Sequence, residues 1–364
     1  MDTGIIPIEI YTALYYNVIL AFILITFFHS QLLKIDDKRN KAYIRITGFI
    51  LFSFVLLYMG LRPISGFFGD MLVYDNYFNM YQNNYEITEK HDVLFHQFMM
   101  LCTKFMSAES FFFLCAVIYI APLWYLSKKW FDKLWFYSFL MLVGSFSFWV
   151  YGVNGIRNGI ATSLMLMAFT FIDKKIIMSI FIALACCFHS TMLLPAVALG
   201  LTFLNNKPKM YMAFWLITIP ASLVLGGFWE SMFAGLGFAD DRVSNLTSGN
   251  VEGDNFSSTG FRWDFIVYSF SGVYTGWYFI VKQKFEDVLY SRLLNVFLFT
   301  NGIWILVIRA NFSNRFAYLS WFMLGIIIIY PFLKLRNIKH INIIISFVLL
   351  LYYMFTYFMN FIKS

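Results

Sequence analysis

Long runs of apolar residues, separated by short polar links, are the feature that most constrains how this chain can fold. Of its 364 residues, 60% are hydrophobic and 13% are charged, and the mean hydropathy is +0.69. A water-soluble domain cannot bury this much apolar surface, whereas a lipid bilayer solvates it. We therefore predict an all-α polytopic membrane protein that forms a single integral membrane domain over residues 1–364.

The apolar runs predict about twelve transmembrane helices, although several are shorter than the ~20 residues that cross a bilayer comfortably. The predicted spans are 11–28, 46–61, 109–127, 134–150, 157–172, 176–188, 190–204, 211–227, 263–281, 288–308, 316–333 and 341–358. The pair 176–188 and 190–204 could instead form one long helix. Segment 93–107 also has a helical pattern, but it carries His96 and Lys104, so we expect it to lie in the outer membrane interface.

The distribution of lysine and arginine predicts the orientation of the chain. If both termini lie outside, the inner links hold fourteen lysines and four arginines, which is a strong positive-inside bias. One fused helix over 176–204 would move later lysine-rich links outside, so two helices are favoured. Large outer loops then fall at 62–108 and 228–262, where sites tend to occur. The net charge of +7 can come from the inner links alone, so it does not indicate nucleic acid. Membrane lipids are expected partners.

Arginines outnumber lysines six to three on the predicted outer side, and this asymmetry indicates an anion site. A guanidinium binds phosphate or carboxylate with two hydrogen bonds and stays charged when partly buried. Arg157 in "VNGIRNG", and Arg309 and Arg315 in "VIRANFSNRF", lie at predicted span ends, and Arg62 closes the second span. The alternative is that these arginines reach lipid headgroups or pair with outer acids.

Two further patterns are typical of a catalytic or sugar-binding site. His189, in "CCFHSTMLLP", lies at the tip between two predicted helices, where histidine can act as a base; a buried structural histidine is the alternative. In "GDMLVYDNYFNMY", Asp70, Tyr74 and Tyr81 recur at helical spacing and would share one face of a helix. An acidic side chain beside aromatic rings is typical of a sugar-binding surface. An interfacial aromatic belt is the alternative. His91 and His96 are weaker candidates, because their segment looks surface-lying.

The sequence contains no pattern that indicates a metal or a cofactor. The four cysteines lie in apolar segments without metal-ligand spacing, and no clustered His/Cys motif occurs. A glycine-rich phosphate-binding loop is also absent from the sequence, so ATP is not an expected ligand.

Short motifs in the same order resemble the EpsG-like branch of the Wzy-type O-antigen and exopolysaccharide polymerases. The motifs are "GLR", "GDMLVY", "HDVLFHQF", "IRNGIA", "FHST" and "NRFAYL". Asp92 stands where a glutamate is usual, Asn158 replaces the usual glutamine, and Asp70 lies one residue farther from Arg62 than expected. These motifs extend over residues 60–319, most of the chain.

The resemblance implies a metal-independent glycosyltransferase that joins oligosaccharide repeat units carried on undecaprenyl pyrophosphate. The reaction would take place at the outer face of the bacterial inner membrane. A chain-length regulator protein would be a partner. The implied site residues are His189 and Asp70 for catalysis, Arg157, Arg309, Arg315 and Arg62 for pyrophosphate, and Tyr74, Asp75 and Asn158 for sugar.

Two other functions remain open from the sequence. An O-antigen ligase would use the same lipid-linked donor with a different acceptor. A lipid-linked oligosaccharide flippase would not be an enzyme, and it should carry polar residues deep in many spans and show internal repeats. In this sequence the charges stop at predicted helix ends and no repeat is found.

Overall fold

The computed structural model describes residues 6–89, 92–235, 260–310, 313–335 and 338–362, and within these ranges the chain is helical without a β-strand. The α-helices are α1 Ile8–Leu32, α2 Lys38–Gly60, α3 Met71–Gln82, α4 Val93–Cys102, α5 Ala108–Phe131, α6 Trp135–Val143, α7 Phe146–Val153, α8 Ile156–Thr170, α9 Lys175–Phe188, α10 Leu193–Leu204, α11 Pro208–Gly235, α12 Trp263–Trp277, α13 Val288–Leu306, α14 Asn314–Trp321, α15 Leu324–Lys334 and α16 Ile341–Phe361. The predicted all-α class is therefore confirmed for the part of the chain that is described.

Among the described residues, seven stretches are long and apolar enough to cross a membrane, so the chain is a multi-pass membrane protein. They are Ile8–Leu32, Lys38–Gly60, Ala108–Val143, Pro208–Trp229, Val288–Leu306, Arg315–Lys334 and Ile341–Phe361. Each of the twelve predicted segments is helical, but others are short: the 14 residues of α9 rise only ~21 Å. The number of twelve spans and the outside location of both termini stay predictions.

The predicted span 134–150 is broken into α6 and α7 at Gly144 and Ser145. At the break, backbone carbonyls lose the N–H partners that a continuous helix would give them. Buried hydroxyl groups donate hydrogen bonds to these carbonyls instead. Tyr15 donates to the Val143 carbonyl at 2.7 Å, and Thr356 donates to the Gly144 carbonyl at 3.1 Å. Irregular backbone is tolerated at membrane depth when protein groups pair with it in this way.

The chain between 176 and 204 does not form one long helix. Helix α9 ends at Phe188, and His189 adopts an extended backbone with φ −152° and ψ 116°. A short 3₁₀ turn, Ser190–Met192, then precedes α10. The prediction of two helices with His189 between them is confirmed, whereas their antiparallel pairing stays a prediction.

The chain divides into two compact units, one made of Met1–His189 with Ile329–Ser364 and the other of Ser190–Ile328. In the first unit, α5 packs against α2 and α8, α8 packs against α9, and α1 packs against α16. The short helices α3 and α4 lie within the predicted outer loop 62–108 and pack against each other and against α5 and α9 respectively. The other large predicted loop, 228–262, lies mostly outside the described residues.

Asn301 is the centre of a buried polar network in the second unit. Its amide nitrogen donates to the hydroxyl oxygens of Ser269 at 3.0 Å and Ser320 at 2.9 Å. Its amide oxygen accepts from Trp215 Nε1 at 2.7 Å, while Trp321 Nε1 donates to Ser269 at 2.8 Å. The network joins α11, α12, α13 and α14 in an apolar interior where unpaired polar groups are costly.

We expect Asn301→Leu to destabilise the protein, because it leaves the Trp215 indole N–H buried without its acceptor. The loss should be about 1–3 kcal/mol in the free energy of unfolding, with a lower Tm of the purified protein. Asn17→Leu is the matched control, since the Asn17 side chain makes its hydrogen bonds at the surface. Equal Tm values for the two variants would show that the network contributes nothing.

Candidate functional site

Three segments of the first unit bring charged side chains together: the start of α4, the start of α8 and the end of α9. Helix α9 packs against both α8 and α4, so the ends of these helices converge. Arg157 lies in the first turn of α8, Asp92 immediately precedes α4, and His189 immediately follows α9. We call these three residues the Asp92 cluster.

One carboxylate oxygen of Asp92 faces both basic groups of the cluster. Its Oδ2 lies 3.0 Å from Arg157 Nη1 and 3.6 Å from His189 Nδ1. The Asp92 side chain is only 3% exposed, whereas those of Arg157 and His189 are 24% and 13% exposed. A buried carboxylate thus holds an arginine and a histidine that both remain accessible, which is an arrangement suited to binding an anion beside a base.

Tyr74 fixes the other side of the Arg157 guanidinium. Arg157 Nε donates to the Tyr74 hydroxyl at 3.3 Å, and the guanidinium carbon lies 5.7 Å from the Tyr74 ring centroid. Burial raises the pKa of the Tyr74 hydroxyl, and the positive charge of Arg157 partly offsets that effect. The Tyr74 hydroxyl therefore stays protonated and neutral at neutral pH. It orients the guanidinium by accepting its hydrogen bond, and it does not neutralise the positive charge of Arg157.

The backbone of Asp92 is in the left-handed region, with φ 52°. Aspartate tolerates this conformation better than most residues, but it still costs free energy. Asp92 precedes α4 without capping it through its side chain, although an aspartate at this position would ordinarily bond to the first N–H groups. Its carboxylate faces Arg157 and His189 instead. The start of α4 therefore lacks the stabilisation that a side-chain cap would give.

Asn154 ties the segment before α3 to the segment before α8. The Asp70 backbone N–H donates to Asn154 Oδ1 at 2.9 Å. Gly69 has φ +65°, and a Cβ at this position would lie 2.4 Å from Asn154 Oδ1, so only glycine fits. Asp70, the second catalytic candidate, is therefore anchored at the start of the helix that carries Tyr74, and its charge adds to the raised pKa of Tyr74.

A row of tyrosines on α3 faces His96 of α4. The Tyr81 hydroxyl and His96 Nδ1 are 2.8 Å apart, and the Tyr77 hydroxyl donates to Glu89. The bond to Glu89 raises the pKa of Tyr77 to about 12, while burial lowers the pKa of His96. His96 lies on the buried face of α4, contrary to the expectation of a surface-lying histidine, and His91 lies outside the described residues.

The remaining sugar-site candidates lie beside this row. Asp75 accepts from the Asn79 side chain at 3.2 Å on the half-exposed side of α3, and burial raises the pKa of Asp75. Asn158 follows Arg157 on α8 and is also half-exposed. Both side chains are thus accessible within the first unit.

The other predicted pyrophosphate ligands occupy different surroundings. Arg62 is buried after α2, where its Nη1 donates to the Met59 carbonyl at 2.6 Å. Arg309 and Arg315 belong to the second unit and are both exposed. The guanidinium carbon of Arg309 lies 5.8 Å from the Phe261 ring centroid, and its Nη1 would lie 3.5 Å from a Cβ at Gly226, next to the kink in α11 at Leu225.

A family model, described as the EpsG family, matches residues 45–364, which include the whole Asp92 cluster. The chain belongs to the EpsG family. Comparisons with curated proteins and with solved structures found no match. Family membership confirms the resemblance drawn from the short motifs and identifies a membrane protein of the polysaccharide polymerase type.

Two residues at or beside this candidate site, Asp92 and His96, were not selected from the sequence as site residues. Asp92 was noted only as a substitution for glutamate in a motif, and His96 was judged a weak candidate. Helical spacing gives no signal for Asp92, because this residue precedes α4 in a left-handed conformation and reaches the cluster through the packing of α4 against α9. Within the described ranges, the EpsG chain has no group of three or more His, Cys, Asp or Glu residues arranged to hold a metal.

Proposed function

We propose that this EpsG family protein polymerises oligosaccharide repeat units that are carried on undecaprenyl pyrophosphate. The observation that supports this function best is the Asp92 cluster, in which one buried carboxylate holds an accessible arginine and an accessible histidine. The arginine can bind the leaving pyrophosphate, and the histidine can take a proton from the attacking hydroxyl. Reactions that expel pyrophosphate need positive charge where the leaving group develops its negative charge.

In the proposed reaction, a hydroxyl oxygen of one lipid-linked unit attacks the anomeric carbon of the growing chain. The new C–O bond forms as the bond between the anomeric carbon and the pyrophosphate oxygen breaks. Undecaprenyl pyrophosphate leaves with the bonding electron pair, and His189 accepts the hydroxyl proton at an imidazole nitrogen. Arg157 stabilises the leaving phosphate, while Asp92 holds Arg157 and stabilises the positive charge that His189 gains.

The other candidates take supporting roles in this proposal. Asp70 is the second candidate for the base, and the half-exposed Asp75 and Asn158 contact sugar. Tyr74, predicted as a sugar contact, is buried and orients Arg157 instead. The half-exposed ring of Tyr77 can stack on the apolar face of a sugar. Arg309 and Arg315 stay predictions as pyrophosphate ligands, and both are exposed in the second unit.

The reaction is proposed to need no metal, because arginine supplies the positive charge that a metal ion would otherwise supply to the phosphates. We place the site at the outer face of the bacterial inner membrane, in keeping with the lysine-rich inner links of the sequence. A chain-length regulator protein is a partner of this proposed system.

The test is polymerisation by the purified full-length protein in detergent or liposomes, with a synthetic undecaprenyl-pyrophosphate-linked repeat unit as its sole substrate. We expect a ladder of longer lipid-linked glycans and one undecaprenyl pyrophosphate released for every bond formed, with EDTA present. Restoration of an EDTA-inhibited reaction by Mg²⁺ would contradict the metal-free part of the proposal.

The same assay separates the competing functions. A ligase would leave the repeat unit unextended until a different acceptor glycolipid is added. A flippase would move the substrate between leaflets of the liposome and release no pyrophosphate. Either result would contradict the polymerase proposal.

A further inference from the structure

Three of the lysine-rich links of the first unit meet at one small pocket that opens to the surface. They are the link between α1 and α2, the 3₁₀ turn Asp132–Leu134 between α5 and α6, and the link between α15 and α16. Asp36, Lys41 and Lys133 are the charged residues that line the pocket, and the other lining residues are apolar: Ile35, Leu134, Phe332 and Ile341. The sequence predicts all three links on the inner side of the membrane, and their convergence places them at the same end of the unit.

The two lysines of this pocket have no counter-charge in contact with them. The ammonium groups of Lys41 and Lys133 are exposed and make no hydrogen bond, ion pair or ring contact within the described ranges, and the same holds for the Asp36 carboxylate. Lys128, in the same link as Lys133, differs because its Nζ lies 4.4 Å from the Trp124 ring centroid. Two like charges beside one pocket repel each other, and a bound anion would offset that repulsion.

Buried amide side chains hold the wall of the pocket in place. Asn40, which is 2% exposed, donates from Nδ2 to the Ile35 carbonyl at 2.8 Å. Asn342 donates from Nδ2 to the Ser30 carbonyl at 2.6 Å, and this bond ties the start of α16 to the end of α1. The backbone that carries Asp36 is therefore fixed before a ligand binds, which lowers the entropic cost of binding.

Lys41 lies at the depth of lipid phosphates. Ile46, Phe49 and Ile50 of α2 are each more than half exposed, as expected of side chains that lipid tails solvate. Lys41 precedes Ile46 by five residues, or ~7.5 Å of helix rise. The headgroup layer extends about 5–8 Å beyond the hydrocarbon on each side of a bilayer, so the Lys41 ammonium group reaches it.

We propose that this pocket binds the headgroup of an anionic phospholipid, whose phosphate bonds to Lys41 and Lys133 and whose acyl chains lie along the exposed apolar face of α2. Basic pockets between membrane helices bind acidic headgroups by the same chemistry. The Asp36 carboxylate accepts hydrogen bonds but repels a bare anion, so the headgroup also carries hydroxyl donors, as the glycerol of phosphatidylglycerol does. This site uses no residue of the Asp92 cluster and does not depend on the proposed polymerase function.

The first test is native mass spectrometry of the purified full-length protein, titrated with phosphatidylglycerol in detergent. Lys41→Gln/Lys133→Gln should lower the affinity by about 10–30-fold, since each lysine near a lipid surface contributes about fivefold. Lys38→Gln is the matched control, because Lys38 is the exposed first residue of α2 and does not line the pocket, and it should bind like the wild type. Equal affinities of the double variant and the wild type would overturn the site.

Two further lipids test the headgroup chemistry. Phosphatidylethanolamine with the same acyl chains has no net charge, so it should bind about tenfold more weakly than phosphatidylglycerol. Phosphatidylmethanol has the charge of phosphatidylglycerol but no headgroup hydroxyl, so the wild type should prefer phosphatidylglycerol. Asp36→Ala should abolish that preference, whereas Asp132→Ala, at an exposed acid that does not line the pocket, should retain it. Equal binding of phosphatidylethanolamine and phosphatidylglycerol would overturn the phosphate role of the lysines, and a preference that survives in Asp36→Ala would overturn the hydroxyl role of Asp36.

A last arm distinguishes a lipid from a soluble phosphate compound. Glycerol phosphate carries the same phosphate and hydroxyl groups without acyl chains, so millimolar glycerol phosphate should not displace phosphatidylglycerol. If it does, the pocket binds a soluble phosphate compound and the lipid assignment is overturned. All of these readouts measure binding, so a failed polymerase assay and a failed lipid site are distinguishable.

Discussion

Arg157→Ala is expected to reduce polymerisation by about 10²–10³-fold, because one charged donor to the leaving pyrophosphate is lost in the transition state. The measurement is the rate of undecaprenyl pyrophosphate release by the purified protein. In cells, the surface glycan should change from long chains to single repeat units. The size of the effect follows from the accessible position of Arg157 beside a buried carboxylate.

Arg157→Ala alone cannot separate catalysis from folding, since it leaves the Asp92 carboxylate buried without its closest partner, which is itself destabilising. Arg157→Lys keeps a positive charge near Asp92 but loses the planar fork, so it should fold and yet recover little of the rate. Arg39→Ala is the matched control, because the Arg39 side chain is 77% exposed and pairs with Asp37 at 3.4 Å, away from the Asp92 cluster. If Arg157→Lys polymerises at the wild-type rate, Arg157 is a helix anchor and not a phosphate ligand.

Local patterns in the sequence were enough to predict the helices and a shared face on one of them. The spacing of Asp70, Tyr74 and Tyr81 predicted that face as a sugar-binding surface, whereas Tyr74 and Tyr81 are buried on α3. Such a pattern is readable because the helix repeat depends on neighbouring residues alone. The membrane character follows in the same way from apolar runs, which need no knowledge of the contacts between them.

The positions at which helices break were less predictable. The run 134–150 reads as one span, yet it is interrupted at Gly144. The break is stable because Tyr15 and Thr356, from distant parts of the chain, pair with the carbonyls that it exposes. Hydropathy contains no information about partners of this kind.

The candidate site shows the same limit. The sequence identified Arg157 and His189 from their residue types and places near predicted helix ends. It did not identify Asp92 as the residue that joins them, because that role depends on the packing of α4 against α9 and on the left-handed backbone at Asp92. For Arg62, its place at a span end suggested an accessible anion ligand, whereas the structure buries it against two phenylalanine rings.

The relation between Asp92 and its two partners can be measured with double-mutant cycles. His189→Gln is expected to reduce the polymerisation rate by about 10²–10⁴-fold, the usual contribution of a general base. Asp92→Asn keeps the shape of the side chain but removes its charge, and it should reduce the rate substantially because both Arg157 and His189 lose their shared counter-ion. If Asp92 acts through His189, the double variant Asp92→Asn/His189→Gln should be little slower than His189→Gln alone, since residues that act as a unit are strongly non-additive.

A second cycle, Asp92→Asn with Arg157→Lys, decides which partner matters more. Asp92 Oδ2 is closer to Arg157, at 3.0 Å, than to His189, at 3.6 Å, so the arginine is the stronger contact in the absence of substrate. We expect both cycles to be non-additive, because the same oxygen faces both groups. Additive losses in the His189 cycle would remove Asp92 from the proton transfer and leave it as the support of the phosphate-binding arginine. Additive losses in both cycles would mean that the contacts of Asp92 are structural, and the catalytic assignment of the cluster would then fail.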